Sequence, residues 1–378
     1  MKIFSSMLLA FLLWDFSAAA QQYPIVKGEV IWNPLSNKSC TRRSEGCFLQ
    51  LKNGNILHLY SRFRTGFLDH NSADLAGIVI SPDGQRIVHQ EKVVIPGKKS
   101  GNVMSPSLLR QKDGRLMVIY LEKQRLAGSF VCRVTMRYSS DEGNTWTPGV
   151  YITSAPVYCI VLNGAALQLK SGRICIPVSQ CRYRPKGNID TCGIVYCLYS
   201  DDAGKTWKES ASILFPPDRI FSRTGYQEPS AVELGSNKLL MYMRSDLGYL
   251  WKTVSTDGGN TWSKPEQDKN FPAVVAPPKI VYLHDKYLTV FYNQNPNTAK
   301  PLKNNRDRSV FAMKISLDEG KTWSKAKLIE PITQRYYSYP SVIRISGEAF
   351  LLSYYMQKNA ADHFWHLKIK KILCADFK

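Results

Sequence analysis

An eight-residue pattern, Ser-x-Asp-x-Gly-x-Thr-Trp, recurs four times without error, over Ser139–Trp146, Ser200–Trp207, Ser255–Trp262 and Ser316–Trp323. The starts are 61, 55 and 61 residues apart, and a degenerate fifth copy, Ser81-Pro82-Asp83-Gly84, begins 58 residues before the first. Recurrence at near-constant spacing marks a chain assembled from one repeated supersecondary unit. Within the pattern the Asp and Ser side chains can bond to nearby backbone, the Gly admits a tight turn, and the Trp packs inward. These aspartates therefore read as structural groups, and the pattern fixes a fold rather than a function.

A second repeat runs independently of the first. A polar turn precedes an alternating apolar run at Asn53-Gly54 before Ile56, Asp113-Gly114 before Leu116, Ser171-Gly172 before Ile174, the Gly235–Lys238 turn before Leu239, Asp285-Lys286 before Tyr287, and Ser346-Gly347 before Phe350. Six copies over the chain beyond residue 20 give about 60 residues per unit, longer than the roughly 40–50 of common propeller repeats. Each unit reads as four antiparallel strands, the eight-residue pattern turning from the third to the fourth. The expected fold is all-β, a six-bladed β-propeller of four-stranded blades forming one domain over 21–378, with Glu29–Trp32 closing the ring against the stretch near 366–373. Strand direction then sorts the loops. The start of strand one, the end of strand two and the start of strand three share one rim, and the Asp-containing turns lie on the other.

Composition narrows the partners. The chain has 378 residues and a formal net charge of +20, which favours acidic partners. The basic residues are scattered, with no basic arm, zinc-finger spacing or aromatic RNA-binding motif, so nucleic acid is not expected. Lys2, the apolar run from Ile3 to Trp14 and the small residues Ser17-Ala18-Ala19-Ala20 read as a signal peptide over 1–20, too short to span a bilayer. The chain is therefore expected to be secreted or periplasmic, a monomer without a membrane span. Nine cysteines leave an odd thiol in a monomer, and neither they nor His363 and His366 have metal-ligand spacing, so no metal or cofactor is expected.

The four perfect patterns match Asp-boxes, and with them the chain resembles the sialidase (neuraminidase) family with BNR repeats over nearly its whole length. The resemblance implies a site on the rim opposite the boxes. Three arginines would hold a substrate carboxylate: Arg43, with Arg42 directly before it as the other candidate; Arg244, closing Leu239–Met243; and Arg308, eight residues before the fourth box. Guanidinium groups suit this task because their planar donors match a carboxylate and stay charged. Tyr339, in Ser338-Tyr339-Pro340-Ser341, matches the family's nucleophile, and Glu228, in Gln227-Glu228-Pro229-Ser230, its partner base. A phenol is a sensible nucleophile beside an anionic anomeric centre, since a carboxylate would be repelled there. Its pKa near 10 calls for a base. Asp69 matches the acid, and Arg64 a residue that contacts the sugar ring.

The implied activity is exo-α-sialidase hydrolysis of terminal sialic acid with retention, on sialylated or other acidic glycans. Two alternatives keep the same rim: a glycosidase for another carboxylated sugar, and an acidic-glycan-binding propeller that does not turn over. The family usually places Ile-Pro after its first arginine, whereas here Arg43 is followed by Ser44-Glu45. A carboxylate at that point suits a changed substrate.

Overall fold

The computed structural model describes residues 23–98, 101–126, 128–154, 156–183, 189–217, 222–283, 286–345, 349–359 and 361–377. The expected leader, 1–20, lies outside them, as do Asp285 and the Ser346-Gly347 turn. All six apolar runs fold as strands: Ile56–Phe63, Leu116–Leu126, Ile174–Tyr183, Lys238–Arg244, Leu288–Asn293 and Ala349–Gln357. Each pairs antiparallel with an inner strand before it and a third strand after it. The inner strands are Arg42–Gln50, Asn102–Arg110, a split strand of Tyr158–Ile160 and Leu167–Gln168, Gln227–Gly235, Lys279–Tyr282 and Tyr336–Ile345. A fourth strand completes every unit. In the last unit it comes from the other end of the chain, with Glu29 opposite Lys371 and Val30 opposite Lys370. Among the described residues the strands thus form six four-stranded antiparallel units, and the only helix is a single 3-10 turn, Cys374–Phe377. No described helix is long and apolar enough to cross a membrane.

The apolar faces are buried between units rather than within them. Leu59 and Leu75 pack with Val118 of the second unit, Ile119 and Val134 with Ile176 of the third, and Cys175 and Val195 with Met241 of the fourth. Leu240 and Leu250 meet Val290 of the fifth, and Phe291 and Met313 meet Leu352 of the sixth. The last core joins the sixth unit to the first, through Leu351 and Ile369 against Ile56 and Ile78. A strand with apolar side chains on both faces needs a neighbour on each side, and these six cores supply one.

The boxes are closed on themselves. In the first, Ser139 Oγ donates to Asp141 Oδ1 at 2.8 Å and accepts from the Gly143 N–H at 2.8 Å, while Thr145 donates to Asp141 from both its N–H (2.9 Å) and its Oγ1 (2.6 Å). The glycine sits at φ +88°, where a side chain is strained. A Cβ there would also press on Leu57 of the preceding unit. The degenerate copy makes the same approach across the chain ends, since a Cβ on Gly84 would meet Leu351 of the sixth unit at 2.9 Å.

Candidate active site

Four inner strands share an irregularity. Pairing slips between Ser44 and Cys47, Met104 and Ser107, Gln227 and Ser230, and Ser338 and Ser341. Inside each slip one non-glycine residue takes a left-handed backbone: Glu45 (φ 55°), Ser105 (53°), Glu228 (48°) and Tyr339 (57°). Each such residue costs roughly 1–3 kcal/mol, and strain of this kind concentrates where side chains must be aimed. A bulge re-aims its side chain and ends regular pairing. Here the residue after the strained one is Gly46, Pro106, Pro229 or Pro340, and a proline has no N–H to lose from the ladder. The four side chains converge on one small cavity of about 70 Å³, whose wall also includes Asp69, Lys123 and Arg244.

Tyr339 and Glu228, paired above only by the family resemblance, lie in contact. The Tyr339 hydroxyl donates to Glu228 Oε1 at 2.7 Å, and Glu228 Oε2 forms an ion pair with Arg244 Nε at 2.5 Å. Gln227, beside Glu228, lies opposite Arg244 in the register of the two strands. The Arg308 guanidinium lies 5.7 Å from the centre of the Tyr339 ring and is fixed by bonds to the Tyr355 hydroxyl (2.9 Å) and the Val275 carbonyl (3.0 Å). Burial pushes the Tyr339 phenol well above its ordinary pKa, and the adjoining Glu228 carboxylate adds to this while Arg308 opposes it. The phenol is therefore a neutral donor whose proton already points at a base.

The arginine doublet divides between two faces of its strand, as consecutive residues must. Arg43 points away from the cavity. Its Nε binds Glu91 Oε2 at 2.7 Å, and Glu91 also receives the Tyr60 hydroxyl at 2.5 Å and Arg62 Nε at 3.1 Å. Arg42 turns inward and is fully buried, its guanidinium between the rings of Phe63 (4.3 Å) and Trp365 (4.1 Å). It bonds Asp69 Oδ1 at 2.6 Å and Ser44 Oγ at 2.7 Å, and makes a close ion pair with Glu45. Arg64 is also turned elsewhere, to Asp74 Oδ1 at 2.7 Å and to the carbonyls of Gly97 and Lys98. Of the seven residues the sequence singles out, Tyr339, Glu228, Asp69 and Arg244 line the cavity and Arg308 stands behind it. Arg43 and Arg64 are not among its lining and belong to ion pairs with Glu91 and Asp74.

Two carboxylates share Arg42 but sit in different surroundings. Burial raises the Glu45 carboxyl pKa against the pull of Arg42, and Ser105 Oγ donates to it at 2.9 Å. Desolvation disfavours the charge on Asp69 too, although its side chain is half exposed, but Arg42 and Lys123 together outweigh it and hold Asp69 well below the usual carboxylate range. The two carboxyls of one arginine are thus pushed in opposite directions, Glu45 up and Asp69 down.

Ser105 and Lys123 escape the residue-by-residue reading, although both leave a signal. Ser105-Pro106-Ser107 has the same form as Glu228-Pro229-Ser230 and Tyr339-Pro340-Ser341. Lys123 lies near the end of a second strand, the position that singles out Arg244, and its Nζ donates to the Asp69 carbonyl at 3.3 Å.

A family model described as a BNR repeat-like domain matches residues 82–351. The chain is 24% identical over 307 residues to a sialidase of Bacteroides fragilis, covering 77% of this chain and 52% of that protein. It is 24% identical over 288 residues to a sialidase of Micromonospora viridifaciens, covering 68% of this chain and 41% of that one. The chain thus spans about half the length of these curated relatives. Among solved structures it resembles a protein of unknown function from Dyadobacter fermentans (TM-score 0.70, 21% identity, 93% of this chain and 100% of that one). It also resembles the NanB sialidase of Streptococcus pneumoniae (TM-score 0.68, 13% identity, 93% and 71%) and the leech intramolecular trans-sialidase (TM-score 0.69, 15% identity, 93% and 70%). With the boxes, the all-β units and a family match across most of its length, the chain belongs to the sialidase family with BNR repeats.

Proposed function

We propose that the protein is an exo-α-sialidase built as a six-bladed propeller, with Tyr339 as its nucleophile. The cyclic order of the six cores supports the ring, because the core between the sixth unit and the first has the form of the other five. The observation that carries the activity is the 2.7 Å bond from the Tyr339 hydroxyl to Glu228 beside the cations Arg244 and Arg308. Tyr339 attacks the anomeric carbon as Glu228 takes the phenolic proton, and Asp69 delivers a proton to the departing glycosidic oxygen. Asp69 then takes a proton from water, the water oxygen displaces Tyr339, and Glu228 returns the phenolic proton. Two displacements at one carbon retain its configuration.

Arg42, rather than Arg43, serves as the third carboxylate arginine in this reading, since Arg42 faces Asp69 and the cavity while Arg43 is held by Glu91. The substrate carboxylate then competes with Asp69 for Arg42. Displaced from its cation and set beside a new anion, Asp69 gains the affinity for a proton that its role demands. Release of free sialic acid from a fluorogenic α-sialoside, greatly reduced by Tyr339→Phe with the fold intact, tests the proposal. No release at any pH between 4 and 8 would sink it.

Glu45 favours a second reading. It lines the cavity and pairs with Arg42 behind it, so the anchoring charge is smaller than three arginines would supply. A glycosidase for a different carboxylated sugar fits that balance. Running uronide substrates beside the sialoside distinguishes the two, and binding without turnover would leave an acidic-glycan-binding protein.

A further inference from the structure

A second cavity lies on the axis of the inner strands. Its volume is about 320 Å³, and every inner strand or the segment joining its halves contributes to its wall: Cys47, Leu108, Gly164, Ala231, Lys279 and Ser341, one from each unit in turn. It lies further along the strands that carry the candidate active site, two residues past Glu45 at Cys47 and two past Tyr339 at Ser341.

Lys279 is the unusual member. It is 8% exposed, and its Nζ donates to the Gly164 carbonyl. Gly164 is left-handed at φ +61°, and a Cβ there would lie 3.5 Å from Lys279 Nζ, 3.6 Å from Cys47 Cβ and 3.6 Å from Ser341 Oγ. Amine, hydroxyl and thiol side chains therefore gather around one small volume. Among the described residues no carboxylate pairs with this amine. Lys368 and Lys370 contrast with it, since both reach Glu330 at 3.0 Å, and the other buried lysine, Lys123, bonds the Asp69 carbonyl and feels the Asp69 charge. Glu233, the acidic residue of the cavity wall, has both oxygens engaged by the N–H groups of Asn237 (3.2 Å) and Lys170 (2.9 Å).

Burial lowers the Lys279 pKa to about 8, so near pH 7 the amine still carries its proton. The Cys47 thiol is pushed up by the same burial and stays neutral, so it supplies no counter-charge. An ammonium taken from water without an anion is costly, and that cost falls when an anion enters beside it. Lys279 retains two N–H donors beyond the one facing Gly164, and Ser341 offers a hydroxyl.

We propose that the axial cavity binds a compact monoanion, held by the Lys279 ammonium and the Ser341 hydroxyl. Chloride and a short carboxylate such as acetate share the required chemistry, and both fit the volume. The site does not depend on the sialidase reading, since none of its groups is assigned to catalysis.

The test uses the full mature protein. Crystals soaked in bromide should give an anomalous peak within contact distance of Lys279 Nζ. In solution at fixed ionic strength, chloride or acetate should raise Tm saturably by roughly 2–4 °C, a size set by ligand linkage. The anion with the lower half-saturating concentration is the favoured occupant. Lys279→Met should abolish the response, and Ser341→Ala should raise the half-saturating concentration several-fold. No bromide peak at Lys279 in the unmodified protein would overturn the proposal. So would an unchanged anion response in Ser341→Ala together with Lys279→Met. The bromide arm needs no variant, so it decides the matter even if Lys279→Met does not fold.

Discussion

Glu45 and Asp69 both bind Arg42, but removing their charges should have different consequences. Arg42 and Glu45 are each 1% exposed at the side chain, whereas Asp69 is 52% exposed. Breaking a fully buried ion pair costs about 3–5 kcal/mol, because the surviving charge has no water to return to. Glu45→Gln keeps the shape and one acceptor oxygen, and Arg42 still has Asp69 and the faces of Phe63 and Trp365. The expected loss is therefore smaller, about 2 kcal/mol, typical of a lost charge-assisted bond. Gln also tolerates the left-handed backbone no worse than Glu, so strain does not confuse the comparison. Asp69→Asn breaks a pair whose acidic member is half in water, and such pairs are worth about 0–1 kcal/mol.

Urea unfolding of the two variants, with the m-value checked for constancy, reads the difference directly. In the proposed reaction Asp69→Asn should lower turnover by about 10²–10⁴-fold, the usual range for a lost general acid. Glu45→Gln should show its first effect in the unfolding midpoint. If Asp69→Asn destabilises as much as Glu45→Gln, the division of Arg42 between a structural and a mobile carboxylate is wrong. A Glu45→Gln protein as stable as the parent would refute the same reasoning from the other side.

Tyr339→Phe should cut turnover by on the order of 10³-fold and lower stability by about 1–3 kcal/mol, since buried Glu228 Oε1 loses its donor; initial rates and urea midpoints on one preparation check this. Binding of a carboxylated, non-hydrolysable sugar should take up protons, because Asp69 is held ionised by Arg42 and Lys123 and rises when a ligand takes Arg42. Affinity should then strengthen as pH falls toward 5, and calorimetry in buffers of different ionisation enthalpy counts the protons. Glu91 is held below its ordinary pKa: burial disfavours its charge, but bonds from Arg43 and Tyr60 and the charge of Arg62 outweigh that. A depressed carboxylate stabilises the fold above its unfolded pKa of roughly 4.3 and loses that contribution as pH falls through the lower folded value. Glu91→Gln should thus be less stable at pH 7 and lose less on acidification below pH 4, as read from unfolding midpoints against pH.

The fold was legible because its determinants are local. A Ser-x-Asp-x-Gly-x-Thr-Trp turn satisfies its own polar groups within eight residues, and an alternating run such as Leu239–Met243 declares its strand without reference to a partner. The pairing of Tyr339 with Glu228 was legible only through the family resemblance, and the structure supplies its physical reason. Each lies in an x-Pro-Ser context at the same place in its unit, so structurally equivalent bulges aim both side chains at one mouth. Choosing between Arg42 and Arg43 required more, because it turns on the phase of a strand around a bulge. A shift of one residue exchanges the cavity for the Glu91 cluster. Lys123 carried its signal only by position, and Arg64 satisfied the same positional rule yet turned to Asp74.

The limit is physical. Backbone periodicity sets which rim a residue occupies, but competition among neighbouring carboxylates decides where a long cationic side chain comes to rest. In this chain Glu45 and Glu91 settle that competition on opposite faces of one strand. Removing their charges singly, by Glu45→Gln in one protein and Glu91→Gln in another, should therefore disturb different arginines. The first leaves Arg42 with half-exposed Asp69 as its only carboxylate partner and should alter the binding of an acidic sugar as well as stability. The second loosens Arg43 and Arg62 behind the strand and should change stability with little effect on binding. Equal effects on binding would mean that the two faces communicate through the strand, and that Arg43 belongs to the site after all.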